Sequence, residues 1–151
     1  MELSSPSFED GEEIPERFTC EGENVSPALT WSSEPEGTVS LALIVHDPDA
    51  PSGDFVHWLA WNLDPKPGEL TEGMKDVGSP LAVEGVNSWG RTGYGGPCPP
   101  PGHGPHRYLH ELYAVDRELD LHPGAGREQL EAALEGHVLA EARVMGTYER
   151  A

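Results

Sequence analysis

Lysine is nearly missing from this chain. Lys66 and Lys75 are the only two, the other basic residues are arginines, and 9 basic side chains face 27 acidic ones for a formal net charge of −18. A surface so polyanionic repels nucleic acid and anionic lipid, which argues against both as partners. Long hydrophobic runs are missing too. The longest, Leu41–Val45, falls far below the ~20 residues of a membrane-spanning helix, so no membrane insertion is expected. The opening Met1-Glu2-Leu3-Ser4 lacks the basic and apolar stretches of a signal peptide, and a cytoplasmic location is expected. Cysteine is scarce. Cys20 and Cys98 are too few for a disulfide framework and fit no zinc spacing; two buried thiols are expected, with a bond between them left open.

Known catalytic signatures are also lacking. There is no Gly-x-x-x-x-Gly-Lys-[Ser/Thr] phosphate loop and no His-Glu-x-x-His. Gly85-Val86-Asn87-Ser88-Trp89-Gly90 puts its serine out of register for a nucleophile elbow. No cofactor is implied.

What is present is carboxylate, glycine and proline. The acidic excess reads either as an ordinary solvated surface or as adaptation to a salty cytoplasm, and the scarcity of lysine favours salt. The length of 151 residues suits one domain spanning 1–151, and 18 Gly with 15 Pro fall between apolar runs, where they make turns. Strands are predicted at Ala28–Trp31, Ser40–His46, His57–Leu63, Arg107–Val115 and Arg143–Tyr148. One helix is predicted over Arg127–Glu135, where Leu130, Ala133 and Leu134 recur at helical spacing before Gly136. Many strands and one late helix predict a mainly β chain, an antiparallel sandwich with Greek-key connections and one or two short helices.

Two proline-locked loops interrupt this pattern, Asp47-Pro48-Asp49-Ala50-Pro51 and the Gly/Pro-rich stretch from Gly93 to Pro105. Beside them stand Asp47, Asp49, His57 and Trp58, and then His103, His106, Arg107 and Tyr108. Each could simply cap a turn or sit satisfied in a core. As a group they suit an anion: imidazoles and a phenol donate hydrogen bonds, and an aspartate holds a histidine in its donor form. A metal site or a thiol- or metal-dependent hydrolase using the same Asp/His cluster is the alternative, with no ligand spacing to support it.

Asp47-Pro48-Asp49-Ala50-Pro51 with His57-Trp58, and Gly93 through His106-Arg107-Tyr108, resemble the two signatures of the phosphatidylethanolamine-binding proteins, also called Raf-kinase-inhibitor-like proteins. Asn24-Val25-Ser26-Pro27 and the stretch Gly136–Tyr148 resemble its bacterial and archaeal branch. The resemblance implies a β-sandwich with a small pocket for phosphate-like groups, lined by Asp47, His57, His106 and Tyr108. It implies that Asp49 and Pro51 hold the loop, and Arg107 is expected to pair with an aspartate there. With the proline-framed turn it also implies a cis Ala50–Pro51 bond. Cys98 stands where eukaryotic members carry a pocket glycine, which implies a tighter, redox-sensitive rim. Their C-terminal helix has no counterpart before Ala151. A non-catalytic anion-binding protein, regulatory or inhibitor-like, is therefore expected, without a named protein partner. A homodimer is implied by similar proteins, with Trp89 and Tyr94 either as its anchors or as core residues.

Overall fold

Turn chemistry and apolar runs resolve into eight strands and one α-helix in the computed structural model, which describes residues 1–73 and 82–151. Strands β1 (Glu2–Ser4), β2 (Leu29–Ser32) and β5 (Glu69–Leu70) form a three-stranded sheet in the order β1-β2-β5. A five-stranded sheet runs β6 (Val83–Glu84), β4 (Phe55–Leu63), β3 (Ser40–Asp47), β7 (His106–Val115), β8 (Val138–Tyr148). All pairings between these strands are antiparallel. The fold is the mainly β, two-sheet architecture anticipated from the strand pattern, with α1 (Arg127–Leu134) on the outer face of the larger sheet.

The reason β3 reads as an unbroken apolar run is now visible. Leu41, Leu43 and Val45 point inward to a core shared with Leu3, Trp31 and Leu112, while Ala42 and Ile44 point outward beneath Leu130 and Leu134 of α1. A strand covered on both faces has no polar side to alternate with. Each fully buried Leu, Ile or Val stabilises the fold by ~1.5–3 kcal/mol. α1 starts where Gln129 Oε1 accepts the N–H of Gly126 at 2.7 Å, and Gly136 leaves it with φ of 81°.

Strand β8 begins at Val138, ahead of the predicted start at Arg143. Leu139-Ala140-Glu141-Ala142 carries helix-favouring residues, but pairing of Ala140 with Ala114 and of Ala142 with Leu112 extends the strand. The short β1, β5 and β6 were not legible, since two or three residues carry no periodicity of their own.

Two expectations are corrected. The Ala50–Pro51 bond is trans, like every peptide bond described. The Gly53 N–H reaches the Ala50 carbonyl at 3.0 Å, so Pro51 takes the second position of a four-residue turn, where trans proline fits; a cis proline belongs to the third. The cysteines are not two buried thiols: Cys20 and Cys98 are exposed and joined in a disulfide, with Cα atoms 5.4 Å apart. Closing a separation of 78 residues restricts the unfolded chain and stabilises the fold by ~4 kcal/mol.

Candidate functional site

A cavity of about 290 Å³ opens at one end of the inner face, where β3 ends and β7 begins. Asp47, His57, His106 and Tyr108 line its polar side; Pro51, Phe55, Trp89, Pro99 and Pro100 make its apolar walls. The two signature segments, far apart in sequence, meet because β3 and β7 are antiparallel neighbours, with His46 opposite Leu109.

His57 reaches the cavity through a break in strand register. Val45 pairs with Trp58 and His46 with Val56, so His57 is an extra, unpaired residue. This β-bulge lets His57 and Trp58 both serve the inner side, against the alternation of an ideal strand. The His57 Nδ1–H donates to the Gly95 carbonyl at 2.7 Å, which leaves Nε2 as the nitrogen available to the cavity. Burial pushes the His57 pKa down, against the pull of the Gly95 carbonyl and the Asp47 charge, so the ring is neutral at pH 7 and Nε2 carries a lone pair.

Asp47 closes β3 and is 3% exposed, while His106 opens β7 at 2%. Asp47 Oδ1 accepts the Asp49 N–H at 2.7 Å and so holds the turn, and Oδ2 accepts the His106 Nδ1–H at 2.6 Å. The other His106 nitrogen, Nε2, stands 2.6 Å from Nδ1 of the exposed His103. A carboxylate-fixed imidazole covered by an exposed one results. The Tyr108 ring is buried edge-on against His57, with centroids 5.2 Å apart, and burial beside Asp47 holds its phenol protonated. Trp89, 43% exposed, completes the aromatic wall with Phe55 at a centroid distance of 4.7 Å. Its ring lies 2.2 Å from where a Cβ on Gly95 would stand, so only glycine permits this placement of the indole.

The flanking residues act on the loops. Asp49 takes a two-pronged ion pair from Arg107, Nε to Oδ2 and Nη2 to Oδ1, both 2.9 Å, plus the Arg107 N–H at 2.9 Å. These hydrogen bonds lower the Asp49 pKa to about 2. Pro51 and Cys98 form part of the cavity rim. Tyr94 belongs to the core: its hydroxyl donates to the Phe18 carbonyl at 2.7 Å and its ring meets Trp58 edge-on.

The profile of the family described as Phosphatidylethanolamine-binding protein matches residues 4–149. The chain belongs to the phosphatidylethanolamine-binding protein family. A UPF0098 protein of Methanothermobacter thermautotrophicus is 48% identical over 152 residues, covering 99% of each chain. The crystal structure of the phosphatidylethanolamine-binding protein homologue CT736 from Chlamydia trachomatis superposes with a TM-score of 0.92 at 41% identity, covering 99% of this chain and 97% of that one. Escherichia coli YbcL, described as a member of the mammalian PEBP family, superposes at 0.90 with 32% identity, covering 99% and 98%.

Within this PEBP fold the hydrolase alternative has no support. The cystine leaves no free thiol as nucleophile, and among the described residues no three His, Cys, Asp or Glu side chains cluster as metal ligands. No helix of the described residues is long and apolar enough to cross a membrane. Sequence reasoning missed the apolar wall of Phe55, Trp89, Pro99 and Pro100. Asn87-Ser88-Trp89 before a glycine-rich loop was the available signal. It also missed the bulge at His57, which depends on register and has no local mark.

Proposed function

We propose that this PEBP-family protein binds a small phosphate-like anion, such as a phosphomonoester, in the His57/His106 pocket without transforming it, as a regulatory or inhibitor-like module in the cytoplasm. The observation that carries the reading is the convergence of Asp47, His57, His106 and Tyr108 on one cavity whose remaining walls are apolar. The donor inventory differs from two free imidazole N–H groups. His57 has committed its N–H to Gly95, and His106 is engaged at both nitrogens.

An anion therefore enters together with a proton. Protonation of His57 Nε2 turns a lone pair into a charge-assisted donor. Once His103 is displaced, Nε2 of His106 donates as well when it carries a proton, its Nδ1–H staying on Asp47. Each such bond contributes ~1.5–3 kcal/mol, enough at short range to offset the screened negative field of the surface. Asp47 positions His106 and is not itself a ligand for an anion.

Calorimetry with phosphate and phosphoethanolamine at fixed high salt tests the proposal. His57→Ala and His106→Ala should each abolish measurable heat, with circular dichroism used to establish that each variant is folded. Wild-type affinity in both variants would refute the assignment. Phe55 and Trp89 at the mouth favour monoesters with an apolar group over the inorganic ion.

A further inference from the structure

We propose that the Cys20–Cys98 disulfide is a thiol-exchange site whose opening releases one wall of the pocket. The bond is at the surface, and Cys98 lines two cavities at once: the histidine-lined one and a second of about 230 Å³ bounded by Asn24, Arg91 and Gly95. Trp89 is the only other residue the two cavities share. The cystine and the indole are thus the partition between them.

The wall segment has few other attachments. Pro99, Pro100 and Pro101 carry no N–H. The Pro100 carbonyl accepts the His103 N–H at 3.2 Å, a bond within the same loop, and the Pro99 carbonyl accepts from Arg150 Nη1 at 3.5 Å. The backbone ties to other segments are the Cys20 N–H to the Pro97 carbonyl and the Gly102 N–H to the Arg150 carbonyl, each 3.0 Å. Both lie outside the Cys98–Pro101 stretch, so they keep the fold closed when the S–S bond breaks, while Cys98–Pro100 loses its covalent anchor.

The two sulfurs are unequal. Arg150 Nη1 stands 3.7 Å from Cys98 Sγ, whereas Cys20 is followed by Glu21 and Glu23. A guanidinium beside a sulfur stabilises the thiolate and makes it the better leaving group. An incoming thiolate attacks Cys20 Sγ, forming a mixed disulfide as the S–S bond breaks and its electron pair goes to Cys98, held as thiolate by Arg150. A second thiol equivalent attacks the mixed disulfide, releasing Cys20 thiolate and an oxidised disulfide of the reagent. Two electrons pass from the two thiols to the cystine. The acidic surroundings disfavour an anionic reagent, so the matching class is a small thiol without net negative charge. The inference does not depend on the anion reading.

Cysteamine is the probe. Native full-length protein is treated with limiting reagent, quenched with iodoacetamide and mapped by peptide mass. The adduct is expected on Cys20 with carbamidomethyl on Cys98, in about tenfold excess over the reverse pattern. Arg150→Gln should erase that preference. In parallel, 15N-indole spectra report the wall: the Trp89 signal should move on reduction while those of Trp31 and Trp61 stay. An adduct mainly on Cys98 would overturn the proposal, as would a cystine that opens only in denaturant or a Trp89 signal that never moves. Loss of the fold on reduction would overturn it too, leaving the bond a structural brace. Cys20→Ser checks the same wall without reagent, and its Trp89 signal should match that of the reduced protein.

Discussion

The two faces of the five-stranded sheet each bury histidine, and they treat it in opposite ways. On the outer face His46 is clamped between two carboxylates, Nδ1 on Asp54 and Nε2 on Glu111, both at 2.7 Å. Arg127 of α1 ties Asp54 from its other oxygen at 2.8 Å. Burial works against charge on His46, but the two carboxylate bonds outweigh it and its pKa is raised. On the inner face His110 packs against Phe8 and donates to the Tyr108 carbonyl, 3.2 Å away. Burial pushes its pKa down to about 4. His57, also inside, is lowered for the same cause.

Depth alone therefore does not set a histidine's charge. A carboxylate at both ring nitrogens demands the imidazolium, whereas a single carbonyl acceptor is content with the neutral ring. The outer face favours the cationic form of its histidine, which joins β3, β7 and the loop before β4. On the inner face His57 and His110 are kept as neutral rings, and His57, at the cavity, can take up a proton when something negative arrives.

The sharpest test is the pH dependence of anion binding. Sulfate keeps one charge across the range, so any slope belongs to the protein. Affinity should fall by up to tenfold per pH unit from the depressed free-state pKa of His57 up to the higher pKa of the bound-state imidazole. His46→Gln should leave that slope intact, since the outer face takes no part in it. A pH-independent affinity would remove the proton-coupled mechanism.

The next effect concerns stability in acid. The folded-state pKa of His110 is depressed, so the unfolded chain takes up a proton that the folded protein refuses. Stability is full above the unfolded value of ~6.5 and is lost as pH falls to about 4, by on the order of 3 kcal/mol. Urea unfolding of wild type and His110→Leu over this range should show the slope largely removed in the variant. Equal slopes would mean that His110 is not the neutral core histidine its surroundings require.

His46 should behave in the reverse sense. Its folded-state pKa is raised, so its contribution is present below ~6.5 and lost as pH rises through the raised value. His46→Leu leaves Asp54 and Glu111 without their shared donor and should cost about 1–3 kcal/mol at pH 6, with less difference in alkali. Chemical denaturation at pH 6 and pH 9 decides this; a variant as stable as wild type at both would dissolve the contrast between the faces.

The smallest effect is general. With a net charge of −18, self-repulsion opposes the compact state, and thermal midpoints should climb by several degrees from ~0.1 M to molar KCl. A flat profile would leave the acidic surface without the salt-adapted role assigned to it.

The strand pattern, the late helix and the approximate site were legible because each rests on near neighbours. Apolar runs such as Leu41–Val45, turn residues such as Gly136, and the two proline-rich signatures are local chemistry that any fold must respect. Their order in the chain was enough to name the architecture and to nominate Asp47, His57, His106 and Tyr108. Tertiary structure alone decided the rest. Whether Cys20 meets Cys98 depends on two loops converging from 78 residues apart. Whether His57 faces inward depends on one unpaired residue in the β3–β4 register, and whether His46 is a cation depends on Asp54 and Glu111 arriving from other segments. The physical reason is common to all three. Covalent pairing, side-chain direction and protonation are set by what lies within a few ångströms in space, and sequence distance carries no record of that.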